Sequence, residues 1–186
     1  MSGSVIRLKI TLDDSEPPIW RRVELPAETD LKGLHRVIQA AMGWTNSHLH
    51  EFQVGRRRAA GRTTLAELAA SGVRRFGYLY DMGDSWQHTL GIEKTLAAEP
   101  SAAYPRLVDG AGRCPPEDCG GIPGFYSFLE ALADPRHPEH AELLDWHGGP
   151  FDAADLDEAG IRQRLARLAT ARARATVRRK LGAGKT

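Results

Sequence analysis

Five stretches of this chain alternate apolar and polar residues at period two, and nothing else in the sequence constrains the fold as much. Successive side chains of a strand point to opposite faces, so such a pattern buries one face and wets the other. Val5-Ile-Arg-Leu-Lys-Ile-Thr-Leu12 is the first, and Ile19-Trp-Arg-Arg-Val-Glu-Leu25 the second. The turn and breaker residues Asp13 to Pro18 join them as a hairpin. His48-Leu-His-Glu-Phe-Gln-Val54 reads as a third strand, with His48, His50, Phe52 and Val54 on one face. Arg75-Phe-Gly-Tyr-Leu-Tyr80 and Ser85-Trp-Gln-His-Thr-Leu-Gly-Ile-Glu93 flank Asp81-Met-Gly-Asp84, whose residues supply hairpin turn conformations. Strands are therefore expected near 5–12, 19–25, 49–54, 75–81 and 85–93.

Helical spacing occupies much of the rest. Thr29 or Asp30 caps a helix in which Leu31, Leu34, Ile38 and Ala41/Met42 form one apolar stripe before Gly43. Thr64-Leu-Ala-Glu67 is a capping-box pattern opening a short helix to about Ser71. Residues 124–133 and 138–146 read as helices, with Pro138 in the first turn. A long helix from about Asp155 to Leu181 carries Leu156, Ile161, Leu165 and Leu168 on a stripe that fades into Ala and Arg. Residues 95–123, rich in Pro, Gly and Ala, read as a loop, and loops that long are usually functional. The fold class is α+β, a single domain with a mainly antiparallel sheet, packed helices and a long C-terminal helix. Its organisation divides at 157, with residues 158–186 as a basic helical extension.

At 186 residues the chain is long enough to bury roughly 70% of its unfolded surface without disulfide staples. The net charge of +1 conceals an asymmetry. Nine Lys/Arg and no carboxylate side chain lie from Arg162 onward, leaving sixteen basic against twenty-four acidic residues before it, a net of −8. A basic tail on an acidic body docks on its own body, stands as a solvated face, or contacts nucleic acid or a protein partner. Met1-Ser-Gly-Ser leads straight into a strand pattern with no signal region, and no apolar run approaches the ~18 residues of a membrane span. Two cysteines make no secreted disulfide framework. These features predict a cytoplasmic protein with no membrane partner.

Chemistry-bearing residues gather in two loops. In the second hairpin Trp86, His88, Leu90 and Ile92 share a face, where His88 is either a core histidine with one hydrogen bond or a ligand. Asp81 and Asp84 bond turn amides or converge with His88 on a divalent ion or a proton. His48 and His50, two apart on a strand, would direct both rings at one metal. Cys114-Pro-Pro-Glu-Asp-Cys-Gly-Gly121 spaces its thiols at the long end of the zinc-knuckle range. Three roles fit that loop: buried structural thiols, a metal site, or a redox pair. Glu117 and Asp118 are further ligand candidates or hold loop amides. The ligand-binding candidates are thus Asp81, Asp84, Trp86, Glu117 and Asp118, and the metal candidates are His48, His50, His88, Cys114 and Cys119, with zinc favoured by ligand type. The two loops are expected to meet in space beside the strand carrying His50. Trp20, Trp44, Trp86 and Trp146 are expected to build core or pocket wall. No phosphate-binding loop, dinucleotide fingerprint, nucleophile elbow or Ser-His-Asp triad is present, so no catalytic residue or reaction can be assigned.

Pro17-Pro-Ile-Trp-Arg-Arg22, Leu34-His35, Gly43-Trp-Thr-Asn-Ser-His-Leu-His-Glu-Phe52, Tyr80-Asp-x-Gly-Asp-x-Trp-x-His88, Tyr104-Pro, Cys114-Pro-Pro-Glu-Asp-Cys-Gly-Gly121 and Gly149-x-Phe-Asp152 together resemble the Ri-plasmid open-reading-frame-three family. The likeness runs in order from about Val5 to Asp157. It implies a compact α+β domain around a mainly antiparallel sheet, and an association with plasmids and insertion sequences, but no accepted reaction. Two functions follow as expectations: a metal- or ligand-binding site at the two loops, or a non-catalytic interaction module of mobile-element biology that uses the basic C-terminal helix.

Overall fold

The computed structural model describes residues 3–183. One seven-stranded antiparallel sheet carries the chain, with strands β1 (Ser4–Leu12), β2 (Ile19–Pro26), β3 (His50–Val54), β4 (Arg57–Arg58), β5 (Arg75–Tyr80), β6 (Trp86–Ala97) and β7 (Arg106–Ala111) in the order β4-β3-β5-β6-β1-β2-β7. Helices α1 (Leu31–Met42), α2 (Leu65–Ala70), α3 (Gly121–Ala133), α4 (His140–His147) and α5 (Glu158–Ala183) complete a single α+β domain.

Alternation decides which face is buried. Leu8, Ile10 and Leu12 of β1, Val23 and Leu25 of β2, Phe76, Tyr78 and Tyr80 of β5, and Trp86, Leu90 and Ile92 of β6 all point into one core. Leu31, Leu34, Ile38 and Ala41 of α1 join them there. Asp30 caps α1 by accepting from Gly33 N at 2.8 Å, and Gly43, at φ 95°, ends it in the left-handed region that favours glycine. The capping box at Thr64 and Glu67 is formed in full. On the outer sheet face Glu24 sits between Arg7 and Arg106, at 2.6 and 2.7 Å. Burial alone would push its carboxyl up, but hydrogen bonds from the two guanidinium groups outweigh that and hold it below the ordinary range.

The structure departs from the sequence expectations at identifiable places. Residues 95–123 contain the end of β6 and the edge strand β7, which pairs with β2 across a bulge between Arg22 and Val23. Its single apolar anchor, Leu107, is too little for a period to show. Pro138 precedes α4, which starts at His140. The first half of α5 belongs to the domain, because Ile161, Leu165 and Ala169 are buried and the helix packs on α1 and β7. From Thr170 to Arg178 every residue is exposed.

The tryptophans divide. Trp44 and Trp86 are core residues. Trp146, 49% exposed, walls a surface groove with Phe128 and Leu143. Trp20 lies on the outer sheet face, with Lys9 Nζ and Arg22 Cζ at 4.7 and 4.9 Å from its ring centre. Trp86, wholly buried, removes the most apolar surface of the four per residue. Trp86→Ala is expected to destabilise the fold by ~3–5 kcal/mol in urea unfolding, the cost of a large buried aromatic and the cavity it leaves.

Candidate metal centre

The second hairpin, the loop between α1 and β3, and the Cys114–Gly121 loop meet at one edge of the sheet. Their common point is the Tyr80 hydroxyl, at the end of β5. It donates to Glu117 Oε1 at 2.5 Å and accepts from the backbone N–H of Ser47 at 3.0 Å and of His48 at 3.4 Å. The second Glu117 oxygen accepts from Thr45 N and Thr45 Oγ1, at 2.8 and 2.6 Å. Burial, and then the Glu117 carboxylate, push the Tyr80 phenol above its ordinary value, so it stays a donor. Asp84 Oδ2 accepts from Gly120 N at 3.1 Å. At Gly121 a Cβ would collide with the Asp84 carbonyl, so the start of α3 can lie against the hairpin turn only as glycine.

This junction brings three donor atoms together. His48 Nε2 lies 3.1 Å from Asp118 Oδ1 and 3.6 Å from Asp81 Oδ2, and the ligand atoms of all three residues fall within 4.8 Å of one another. The geometry to Asp118 is not that of a hydrogen bond: His48 Nε2 is buried and has no partner. Asp81 is buried and fixed, its Oδ1 accepting from Gly83 N at 2.8 Å while Oδ2 turns to the imidazole. Asp118 is largely exposed. Both aspartates hold positive φ, 57° and 60°, a conformation that Asp tolerates better than most residues.

The other sequence candidates lie elsewhere. His48 and His50 do not share a strand face, because β3 begins at His50 and His48 sits in the preceding bend. The His50 ring stacks on His35 with centroids 3.5 Å apart, and burial pushes it down to about 4. His88 is a core histidine whose Nδ1 meets the Trp86 carbonyl at 3.0 Å, with Trp44 edge-on to its ring. Trp86 is wholly buried, out of reach of a ligand. Both Glu117 oxygens are spent on Tyr80 and Thr45, and Asp84 is spent on Gly120. Cys114 and Cys119 are free thiols, each pushed up to about 12 by burial, and neither joins the donor cluster. Cys114 lies instead behind Trp44, whose indole N–H donates to the Pro115 carbonyl at 3.0 Å.

A buried polar network beside the site is not readable from residue spacing. His35 Nδ1 meets Tyr78 Oη at 2.8 Å and its Nε2 meets Asn46 Oδ1 at 2.5 Å, while Gln39 Nε2 donates to Tyr78 Oη at 3.1 Å. An Nε2–H tautomer of His35 satisfies all three contacts at once. Its members are scattered over positions 35 to 78, and only the helical i, i+4 relation of His35 and Gln39 hints at it.

The comparisons with known proteins agree with this architecture. The family model described as plasmid pRiA4b ORF-3-like protein matches residues 4–159. The chain therefore belongs to that plasmid-associated family. It is 44% identical over 173 residues to the uncharacterised protein y4hQ of Sinorhizobium fredii, spanning 86% of this chain and 87% of that one. Its fold matches the crystal structure of MM3350, a protein of unknown function from Methanosarcina mazei Go1, with a TM-score of 0.79 at 31% identity over 86% of this chain and 98% of that one. No helix among the described residues is long and apolar enough to cross a membrane.

His88 gives a pH dependence of known sign. Burial holds its imidazole at about 4, whereas the unfolded chain takes up the proton near 6.5. Between those values the unfolded state binds more protons, so stability is full above pH 6.5 and falls as pH drops toward 4. His35 and His50 are lowered too and act in the same direction. Urea unfolding across this range, with chelator present, should show a shallower loss in His88→Gln than in the parent, the difference reaching about 3 kcal/mol by pH 4.

Proposed function

We propose that the protein binds one divalent metal ion through His48, Asp81 and Asp118, with zinc favoured by the nitrogen-and-oxygen donor set. The observation that carries this reading is the buried, unpartnered Nε2 of His48 facing two carboxylate oxygens. Donors around a tetrahedral zinc, with bonds near 2.0–2.1 Å, stand about 3.3 Å apart. The 3.1 and 3.6 Å separations bracket that value. An imidazole nitrogen buried without a hydrogen bond costs free energy, and an ion between the three groups would remove that cost and the carboxylate repulsion together. Three protein donors leave a fourth position for water or a ligand, so the centre is a binding site before it is anything catalytic. Two free thiols fit a reducing cytoplasm.

A second reading concerns the outer half of α5. Its exposed run from Thr170 to Arg178 carries Arg172, Arg174 and Arg178 without a carboxylate, a surface suited to nucleic-acid phosphates. Arg172 is already paired with Glu28, which weighs for self-docking at that position. Deleting residues 170–186 should abolish any salt-dependent DNA binding seen by fluorescence anisotropy; unchanged binding would remove the reading.

Untagged, metal-free protein titrated with zinc should take up one ion per chain and rise in melting temperature. His48→Ala and Asp118→Asn should each weaken uptake by at least about tenfold, and Cys114→Ala should leave it unchanged. No zinc uptake by calorimetry, or His48→Ala binding as tightly as the parent, would overturn the metal reading.

A further inference from the structure

Arg21 occupies an inward-facing position of β2 where the strand pattern calls for an apolar side chain, and it is 1% exposed. Its Nε donates to the Ala41 carbonyl at 3.0 Å, and its Nη1 to the carbonyls of Trp20 and Ala111, both at 2.9 Å. Among the described residues it pairs with no carboxylate, and its Nη2 has no hydrogen-bond acceptor. A guanidinium keeps its proton in proteins, so this is a buried charge held by neutral groups alone. Such a charge is costly unless something opposite in sign stands near it.

The surroundings supply only part of that charge: Asp157 acts on Arg21 from across the cavity but bonds Arg164. Arg21 lines a partly open cavity of about 270 Å³ together with Arg113, Arg164, Gly43, Cys114 and Asp157. Arg164 takes Asp157 at 3.0 Å and donates to the Ala40 carbonyl at 2.8 Å. Arg113 takes Asp155 at 2.7 Å. Glu117 also borders the cavity, but both its oxygens are turned to Tyr80 and Thr45. The C-terminus of α1 contributes about half a negative charge, shared between Arg21 and Arg164. Three guanidinium groups therefore stand at this cavity with three carboxylates beside them, Asp155, Asp157 and Glu117, and the donor left without an acceptor is Arg21 Nη2.

We propose that this cavity is an anion site, taking a small molecule by an oxyanion head group, phosphate or carboxylate, on Arg21 and Arg113. Arg21 offers its Nη2 hydrogens, since Nε and Nη1 are taken, and Arg113, bonded through Nη1 alone among the described residues, offers its Nε and Nη2 edge in the fork that oxyanions accept. The volume lies just below the range of small-molecule sites, enough for a head group and a short body but not for a peptide segment. The site is distinct from the proposed metal centre: the two sets of residues share no member.

The test uses the full chain, stripped of metal so that phosphate has no ion to bind. Inorganic phosphate and, separately, acetate are titrated at constant ionic strength while the arginine Nε–Hε NMR signals are followed. Arg21 and Arg113 should shift along a saturable one-to-one curve for at least one of the two anions, and the tighter anion identifies the head group. Arg113→Gln, at a half-buried side chain whose own contacts are Asp155 and the Phe151 ring, should weaken binding about tenfold. Arg136→Gln, on a side chain 92% exposed and outside this cavity's lining, should leave it unchanged. Shifts that grow linearly without saturating for both anions, or equal curves for the Arg113 and Arg136 variants, would overturn the proposal. Reading Arg21 in the parent protein keeps the test independent of whether an Arg21 substitution folds.

Discussion

The Tyr80 hydroxyl organises the edge of the sheet on which any chemistry here depends. It is one donor and one acceptor, buried, and it spends both on loops from distant parts of the chain. The cluster it forms runs Ser47–Tyr80–Glu117, and each member is the chain neighbour of a proposed metal ligand: His48, Asp81 and Asp118. A buried, charge-assisted hydrogen bond such as Tyr80 to Glu117 is stronger than a neutral one and more costly to break. The loops therefore cannot move independently, and the three donor atoms inherit their separations from a cluster that is not itself part of the proposed ligand set. The rigid strand end supplies the reference point and the loops are tied to it.

The core under that edge is more polar than its size requires. His35, Gln39, Tyr78 and Asn46 satisfy one another, so their burial costs little. Trp86 Nε1 and His88 Nε2 are buried with no partner, and unmade hydrogen bonds of this kind cost about 1–3 kcal/mol each. Packing offsets the loss. Trp44 lies 4.9 Å from the Tyr80 ring, 5.8 Å from Trp86 and 5.4 Å from His88, a contiguous aromatic block whose burial outweighs two lost bonds. The block also backs the Cys114 loop through Trp44, whose indole N–H donates to the Pro115 carbonyl, and Cys114 is buried there.

What the sequence made legible follows from how local each signal was. The strands β1, β2, β5 and β6 and the caps of α1 and α2 are set by neighbours within a few residues, and period and cap chemistry read them directly. Edge strand β7 has one buried apolar residue and takes its shape from β2, so no local period announces it. His48 and His50 looked alike because they are two apart, but their fates are decided at Tyr80: its backbone pairs with His50, and its side-chain hydroxyl bonds the His48 amide. Asp118 was legible as a candidate and Arg21 was not, for opposite reasons. Asp118 stands in a loop rich in chemistry, whereas Arg21 sits in a strand beside Arg22, where the period alone would have placed a hydrophobe inward.

Charge ties the two ends of the molecule to different tasks. The acidic body holds the carboxylate-rich junction, and all three proposed metal ligands fall within residues 4–159, the span of the family match. The arginine-lined cavity straddles the end of that span, since Arg164 on the first turns of α5 completes its wall. From Thr170 to Arg178 every residue is exposed, and Arg172 reaches back only to Glu28. Helix α5 is thus one continuous element in two settings, a packed half that closes the arginine-lined cavity and an exposed run from Thr170 to Arg178 in which Arg172 pairs with Glu28. A substitution in the outer half can alter long-range attraction without disturbing either cavity or junction, because screening confines the influence of exposed charges to about 8–10 Å. Changes at Ile161 or Leu165 would loosen the wall that carries Arg164, and with it the cavity, whose other wall, through Trp44 and Glu117, is shared with the Tyr80 junction.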